Sequence, residues 1–219
     1  IIDRVADNNI IVDTVAGSGK TTIILHIAKK YTKEKILLIT HSKKLKTYTR
    51  QEATKLNLNN IEIHNFYSFC KKYYNKICPK ILKMNDLKIA SILQNNNDSG
   101  YSPESDSNAN PSTRNKYNII LIDEAEFITP LYYDLVCKIN KDFSNNATYC
   151  IFGNKWQSFS EYNYADNRFI KSANILFNFN NKPWFNQELH TSFRITYDVA
   201  KFLNDCVLKQ NRICSSIIG

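Results

Sequence analysis

The sequence predicts an α/β chain, a mostly parallel sheet with helices on both faces. Three observations predict it. Short runs of Ile, Leu and Val recur without polar alternation, as strands buried on both faces do. Longer stretches between them repeat their apolar residues at helical spacing. The two kinds of segment then alternate along most of the chain, the pattern of strand–helix–strand units. At 219 residues, the chain has room for one sizeable domain of this class, or a domain and the start of a second.

Taken in order, residues 8–16 (NNIIVDTVA) form a buried strand entering a glycine turn, and 20–32 (KTTIILHIAKKYT) a helix. KILLIT at 35–40 is a second strand, followed by a helix over 43–56. IEI at 61–63 is a short strand leading into a helical segment, FYSFCKKYYNKI, and a Lys-rich helical stretch covers 80–94. YNIILID at 117–123 and ATYCIFG at 147–153 are two further buried strands, separated by a helix over 130–140. The window from Asn95 to Tyr117 contains no Leu, Ile, Val, Phe or Met. It cannot bury enough apolar surface to offset ordering, and reads as a flexible loop.

Composition narrows the classes of function. With 43% hydrophobic residues a wholly disordered chain is excluded, and no apolar run approaches the roughly 20 residues of a membrane span. The six cysteines form no CxxC pair, which argues against a zinc site or a disulfide framework and for reduced, intracellular thiols. The chain opens without methionine or a signal-peptide pattern, so it is expected to be a piece of a longer intracellular protein, from cytoplasm, nucleus or a virus replication site. The formal charge is +9, and residues 27–88 hold 15 Lys/Arg against 4 Asp/Glu, a local balance of +11. Such a block suits a polyanion; solvated faces of Lys-rich helices would give the same count.

The chemistry sits in two segments. Ala16-Gly17-Ser18-Gly19-Lys20-Thr21-Thr22 lies between a strand and a helix. Glycines there let backbone N–H groups wrap phosphates, Lys20 reaches the β- and γ-phosphates, and the Thr21 hydroxyl meets Mg²⁺. Thr14 stands where the general pattern has its first glycine. The second segment, Ile119-Ile120-Leu121-Ile122-Asp123-Glu124-Ala125, delivers two carboxylates at the end of a buried strand, where open α/β sheets bind ligands. Asp123 is placed to hold Mg²⁺ and Glu124 to polarise an attacking water. Together the two segments point to hydrolysis of a nucleoside triphosphate.

With AGSGKT and DEA in this order, the chain resembles superfamily 1 helicases of the UvrD/Rep/PcrA type, and four more segments match in sequence. ILLITHSKKLKTYTR resembles motif Ia, IHNFYSFCKKYY the Thr-Phe-His-Ser-Phe-Cys segment, CIFGNKWQSFSEYNYAD motif III, and LHTSFRITYDVAKFLN the motif IV turn before a helix. The resemblance implies a RecA-like P-loop NTPase fold, ATP and Mg²⁺ as cofactors, and a motor that translocates on and unwinds DNA. It implies that Gln157 senses the γ-phosphate and that Arg194 reaches it from a second motor domain. It places Thr40, His41 and Ser42, then Asn65, Phe66 and Tyr67, along single-stranded DNA or a single/double-strand junction, and Tyr162 where the family stacks a base. Residues 1–187 would be the first motor domain, with the loop at 95–117 at or near the accessory-domain insertion point, and 188–219 the start of the second. The adenine-reading glutamine motif would precede Ile1, and motifs V and VI would follow Gly219, so this chain alone would be a weak ATPase. Four positions depart from the family: Asn154 for aspartate, Glu126 for glutamine, His41 for phenylalanine and Tyr67 for histidine. An RNA-directed helicase of the same superfamily, or a non-hydrolysing nucleotide-switched interaction module, are the alternatives; no membrane partner is expected.

Overall fold

The computed structural model describes residues 1–74, 86–94, 116–157 and 167–217. After a short 3₁₀ turn, Ile2–Ala6, the elements are β1 (Asn9–Thr14), α1 (Lys20–Lys30), β2 (Ile36–Thr40), α2 (Lys43–Lys55), β3 (Ile61–Asn65) and α3 (Phe66–Tyr73). Then come α4 (Asp86–Gln94), β4 (Tyr117–Asp123), a 3₁₀ turn Ala125–Phe127, α5 (Pro130–Phe143), β5 (Ser144–Gly153), α6 (Arg168–Lys171) and α7 (Ala173–Leu176). The chain continues through β6 (Trp184–Leu189), β7 (Thr191–Thr196), α8 (Tyr197–Phe202), a π-helical stretch Leu203–Leu208 and β8 (Cys214–Ile217).

Six strands form one parallel sheet in the order β3-β2-β4-β5-β1-β6. The continuous apolar runs divide between its faces residue by residue. Ile36, Leu38, Ile119 and Leu121 pack with α1 and α2, against Ile24, Ile27 and Ala53. Their alternates Leu37, Ile39, Ile120 and Ile122 pack under α3, α4 and α5, against Phe69, Ile89, Leu135 and Ile139. That is why these strands carry no polar alternation, and it gives the doubly covered, parallel α/β fold expected from the sequence.

Helix starts are set by side chains. Ser42 caps α2 by accepting from the Leu45 N–H, Asn65 caps α3 in a reciprocal box with Ser68, and Thr129 caps α5 just before Pro130. Register then aligns the strand ends: Thr40 of β2 lies opposite both Asn65 of β3 and Asp123 of β4, and Asp13 of β1 opposite Gly153 of β5. The carboxyl ends of the parallel strands thus bring the glycine loop, the acidic pair and two strand-to-helix turns to one edge.

Three differences from the sequence reading stand out. Tyr117, the last residue of the expected flexible loop, opens β4 and is 2% exposed; its hydroxyl donates to Glu62 and its ring lies near Phe143, so aromatic packing fixes a position that composition left loose. Residues 95–115 of that loop lie outside the described residues. The main sheet also runs through Glu188 and Leu189, which pair with Asp13 and Thr14, and a separate two-stranded sheet of β7 and β8 begins at Thr191. Finally, the segment read as a turn before a helix forms strand β7 ahead of α8.

Candidate active site

The site starts at the end of β1. Thr14 is fully buried; its Oγ1 donates to the Gly153 carbonyl (2.9 Å) and accepts from Lys20 Nζ at 3.2 Å. The residue standing where the general pattern has glycine thus anchors the lysine. The loop that follows needs its glycines: Gly17 and Gly19 have φ of +74° and +87°, a region that favours glycine. A Cβ on Gly17 would also lie 2.6 Å from Arg194 Cβ. Gly19 caps α1 without any side-chain bond, so the first N–H groups of the helix face the loop. Ser18 Oγ is buried and, among the described residues, has no hydrogen-bond partner.

Across from the loop, Asp123 is buried at the end of β4 and accepts from the Glu124 N–H. Burial pushes its carboxyl up to about 6 against the pull of Lys20. Glu124 takes a left-handed conformation, φ +60°, unusual for a residue with a Cβ. Its Oε2 accepts from Thr40 Oγ1 (3.1 Å) and from the Ser42 N–H (3.0 Å). Glu126, also buried, is pushed up to about 7 by burial and accepts from the Asn154 N–H at 3.1 Å. Asn154 in turn accepts from the Trp156 N–H and from Arg212. Two of the departures from the family pattern, Glu126 and Asn154, therefore bond to each other.

The remaining wall comes from β7. Ser192 Oγ donates to the Ala16 carbonyl (2.8 Å), and the Phe193 N–H to the Gly17 carbonyl (3.0 Å). Farther on, Arg212 makes a buried two-pronged ion pair with Asp13 of β1, at 2.8 and 3.0 Å. These contacts bring Arg194 over the loop. A cavity of about 510 Å³ results, lined by Ala16 to Thr22, Asp123, Glu124, Gln157 and Arg194. Every residue expected at the phosphates or the metal borders this one space. Leu45, Tyr48, Glu126, Phe127 and Phe193 border it too, and sequence reasoning did not place them there. Phe193 had a signal, its place beside Arg194; the Asp13–Arg212 pair had none, since 199 residues separate its members.

The residues expected along nucleic acid divide differently. Thr40, Asn65 and Phe66 are buried: Thr40 bonds Glu124, Asn65 caps α3, and the Phe66 ring stacks on Tyr132 with centroids 4.4 Å apart. Phe66 is part of the core rather than a free face for a base. His41 is exposed and stacks on Phe127 at 5.5 Å; Ser42 and Tyr67 are half-buried, and the Tyr67 hydroxyl bonds Asp86 and Tyr132. Tyr162 lies outside the described residues. Among those residues, no helix is long and apolar enough to cross a membrane.

A family model described as "Type III restriction enzyme, res subunit" matches residues 2–148. No curated protein matches the chain. Among solved structures, that of unliganded Pif1 from Bacteroides sp is similar, at 18% identity and a TM-score of 0.43, over 91% of this chain and 41% of that one. This chain therefore spans less than half of that protein's length.

Proposed function

The chain belongs to the family of the type III restriction enzyme res subunit, a helicase-type motor family, and on that premise we propose that it is the first motor domain of a superfamily 1, UvrD-like DNA helicase. In this reading ATP hydrolysis drives translocation on single-stranded DNA and unwinding. The observation that carries it is the single cavity in which the glycine loop, Asp123, Glu124, Gln157 and Arg194 meet.

The residues present fit the cofactors. The buried Ser18 hydroxyl, unpartnered among the described residues, and the start of α1, which no side chain caps, offer donors to phosphate oxygens. Thr21 and Asp123 border the same space and would hold Mg²⁺ together with the phosphates, as sites for this ion commonly do. Bound there, the ion would neutralise charge developing on the transferred phosphoryl group. Lys20 orients the terminal phosphates, Glu124 takes the proton of the attacking water, and Arg194 stabilises charge from the β7 side. Phe193 and Tyr48, both more than half exposed on the cavity wall, give aromatic faces to a purine base.

Nucleic acid is assigned to the outer side of the turns at 40–42 and 65–67, where His41, Ser42 and Tyr67 keep some exposure. The first turn of α2 holds Lys43, Lys44 and Lys46 and no acidic residue, although the helix dipole favours acids there. Lys46 is pulled down by burial, and then by Arg50 and Lys43, a concentration of positive charge that a phosphate backbone relieves. The second motor domain is proposed to start after Leu189, where the main sheet ends.

The test is ATP hydrolysis with and without single-stranded DNA or RNA, for the full-length protein and for its Lys20→Ala variant. Stimulation by DNA and a loss on the order of 100-fold in the variant are expected. Unchanged turnover in Lys20→Ala overturns the site, and stimulation by RNA alone reassigns the track.

A further inference from the structure

The carboxylate assigned to the attacking water is not free. Glu124 is turned by its left-handed backbone toward β2, where Oε2 accepts two hydrogen bonds from one short turn, Thr40 Oγ1 and the Ser42 N–H. Thr40 is fully buried and sits in register with Asp123, so its hydroxyl serves the interior. The Ser42 N–H is held in place because the Ser42 side chain caps α2. Between these two, His41 points outward and stacks on Phe127, a residue of the cavity wall. The turn thus presents His41 outward, while buried Thr40 and the Ser42 N–H grip Glu124 on its inner side.

We propose that Thr40 is a positioning residue, which with the Ser42 N–H restrains Glu124 until a nucleic-acid strand occupies the His41–Ser42 turn. The proposal rests on the motor reading above. With Oε2 fixed by two donors, the carboxylate is held against β2 and cannot turn freely toward a water. A backbone phosphate arriving at the turn competes for the Ser42 N–H, and Glu124 is released toward the nucleotide. Linkage sets a second consequence: if strand binding must break these bonds, removing them beforehand makes strand binding tighter.

Thr40→Val removes the donor at nearly constant shape, and Thr40→Ser keeps it. Anisotropy titration of a labelled oligothymidylate without nucleotide should show Thr40→Val binding roughly three- to tenfold tighter, the equivalent of one ordinary hydrogen bond. Thr40→Ser should restore ordinary binding. Glu124→Ala should tighten it as Thr40→Val does, with no further gain in the double variant; it makes the same comparison if Thr40→Val does not fold. In ATP hydrolysis, Thr40→Val should raise the strand-free rate several-fold and shrink the stimulation by DNA. Equal or weaker oligonucleotide binding by Thr40→Val, or additive gains in the double variant, overturns the restraint. Absence of ATP hydrolysis by the unaltered full-length protein overturns the motor reading instead, and the binding titration, which needs no turnover, still decides the restraint.

Discussion

The phosphate loop and the turn at Thr40–Ser42 stand at one edge of the same sheet, yet they satisfy their polar groups in opposite ways. In the loop, Ser18 Oγ is buried without a partner among the described residues, Gly19 caps α1 with no side chain, and Lys20 rests on a neutral hydroxyl. In the turn, Thr40 Oγ1 and the Ser42 N–H both bond a carboxylate, and Ser42 Oγ caps its helix. A buried donor left unmet costs about 1–3 kcal/mol. The loop therefore keeps its shape against a cost that a bound anion would offset, while the turn is complete within the protein. Changes in the loop should weaken ligand binding more than folding, and changes in the turns should do the reverse.

The largest effect is expected at Gly17. Its φ of +74° and the 2.6 Å that would separate an added Cβ from Arg194 Cβ leave no room for Gly17→Ala without moving β7 or the loop. Backbone strain of about 1–3 kcal/mol, added to a displaced Arg194, should lower nucleotide affinity roughly 100-fold. Titration with a fluorescent ATP analogue measures it; unchanged affinity would remove the loop from the nucleotide site and end the contrast.

Next in size is a pH effect on the acidic wall. Asp123 and Glu126 are raised by burial to about 6 and about 7, from 3.8 and 4.5. Both hold their protons more tightly folded than unfolded. The stability they contribute is therefore complete below about pH 4 and is lost as pH rises through the folded values. For Glu126 the difference amounts to about 3 kcal/mol between pH 4.5 and 7. Glu126→Gln keeps the acceptor for the Asn154 N–H and should flatten the upper part of the melting-temperature profile. A profile equally steep in the variant would show that Glu126 does not titrate in this window.

Much of this edge was legible from local pattern. Unbroken aliphatic runs such as Ile119–Ile122 require burial on both faces, and glycines beside Lys20-Thr21 require a loop before a helix; each is decided within a few residues. The six-stranded order and the contacts that hold the cavity's far wall were not. β6 carries a half-exposed, polar-interrupted pattern, Trp184 to Leu189, because it is an edge strand that pairs with β1 on one side. Arg212 reaches Asp13 across nearly the whole chain, a contact that no spacing announces. Phe66 also shows the limit of motif reading, since its place in a matching segment suggested a base contact while its helical spacing placed it in the core against Tyr132.

The smallest effect separates the two regions most cleanly, because its sign differs between them. Ser18→Ala deletes a buried hydroxyl that has no partner among the described residues, so the protein should gain stability, by up to about 1 kcal/mol, while nucleotide affinity falls about threefold through the lost donor. Asn65→Ala removes the side chain that caps α3 from the Ser68 N–H. It should lower stability by about 1 kcal/mol and leave nucleotide affinity unchanged. Thermal melts of both variants, with and without nucleotide, give the comparison directly. If Ser18→Ala destabilises the free protein as Asn65→Ala does, the hydroxyl supports the loop from within, and the loop is as self-sufficient as the turns.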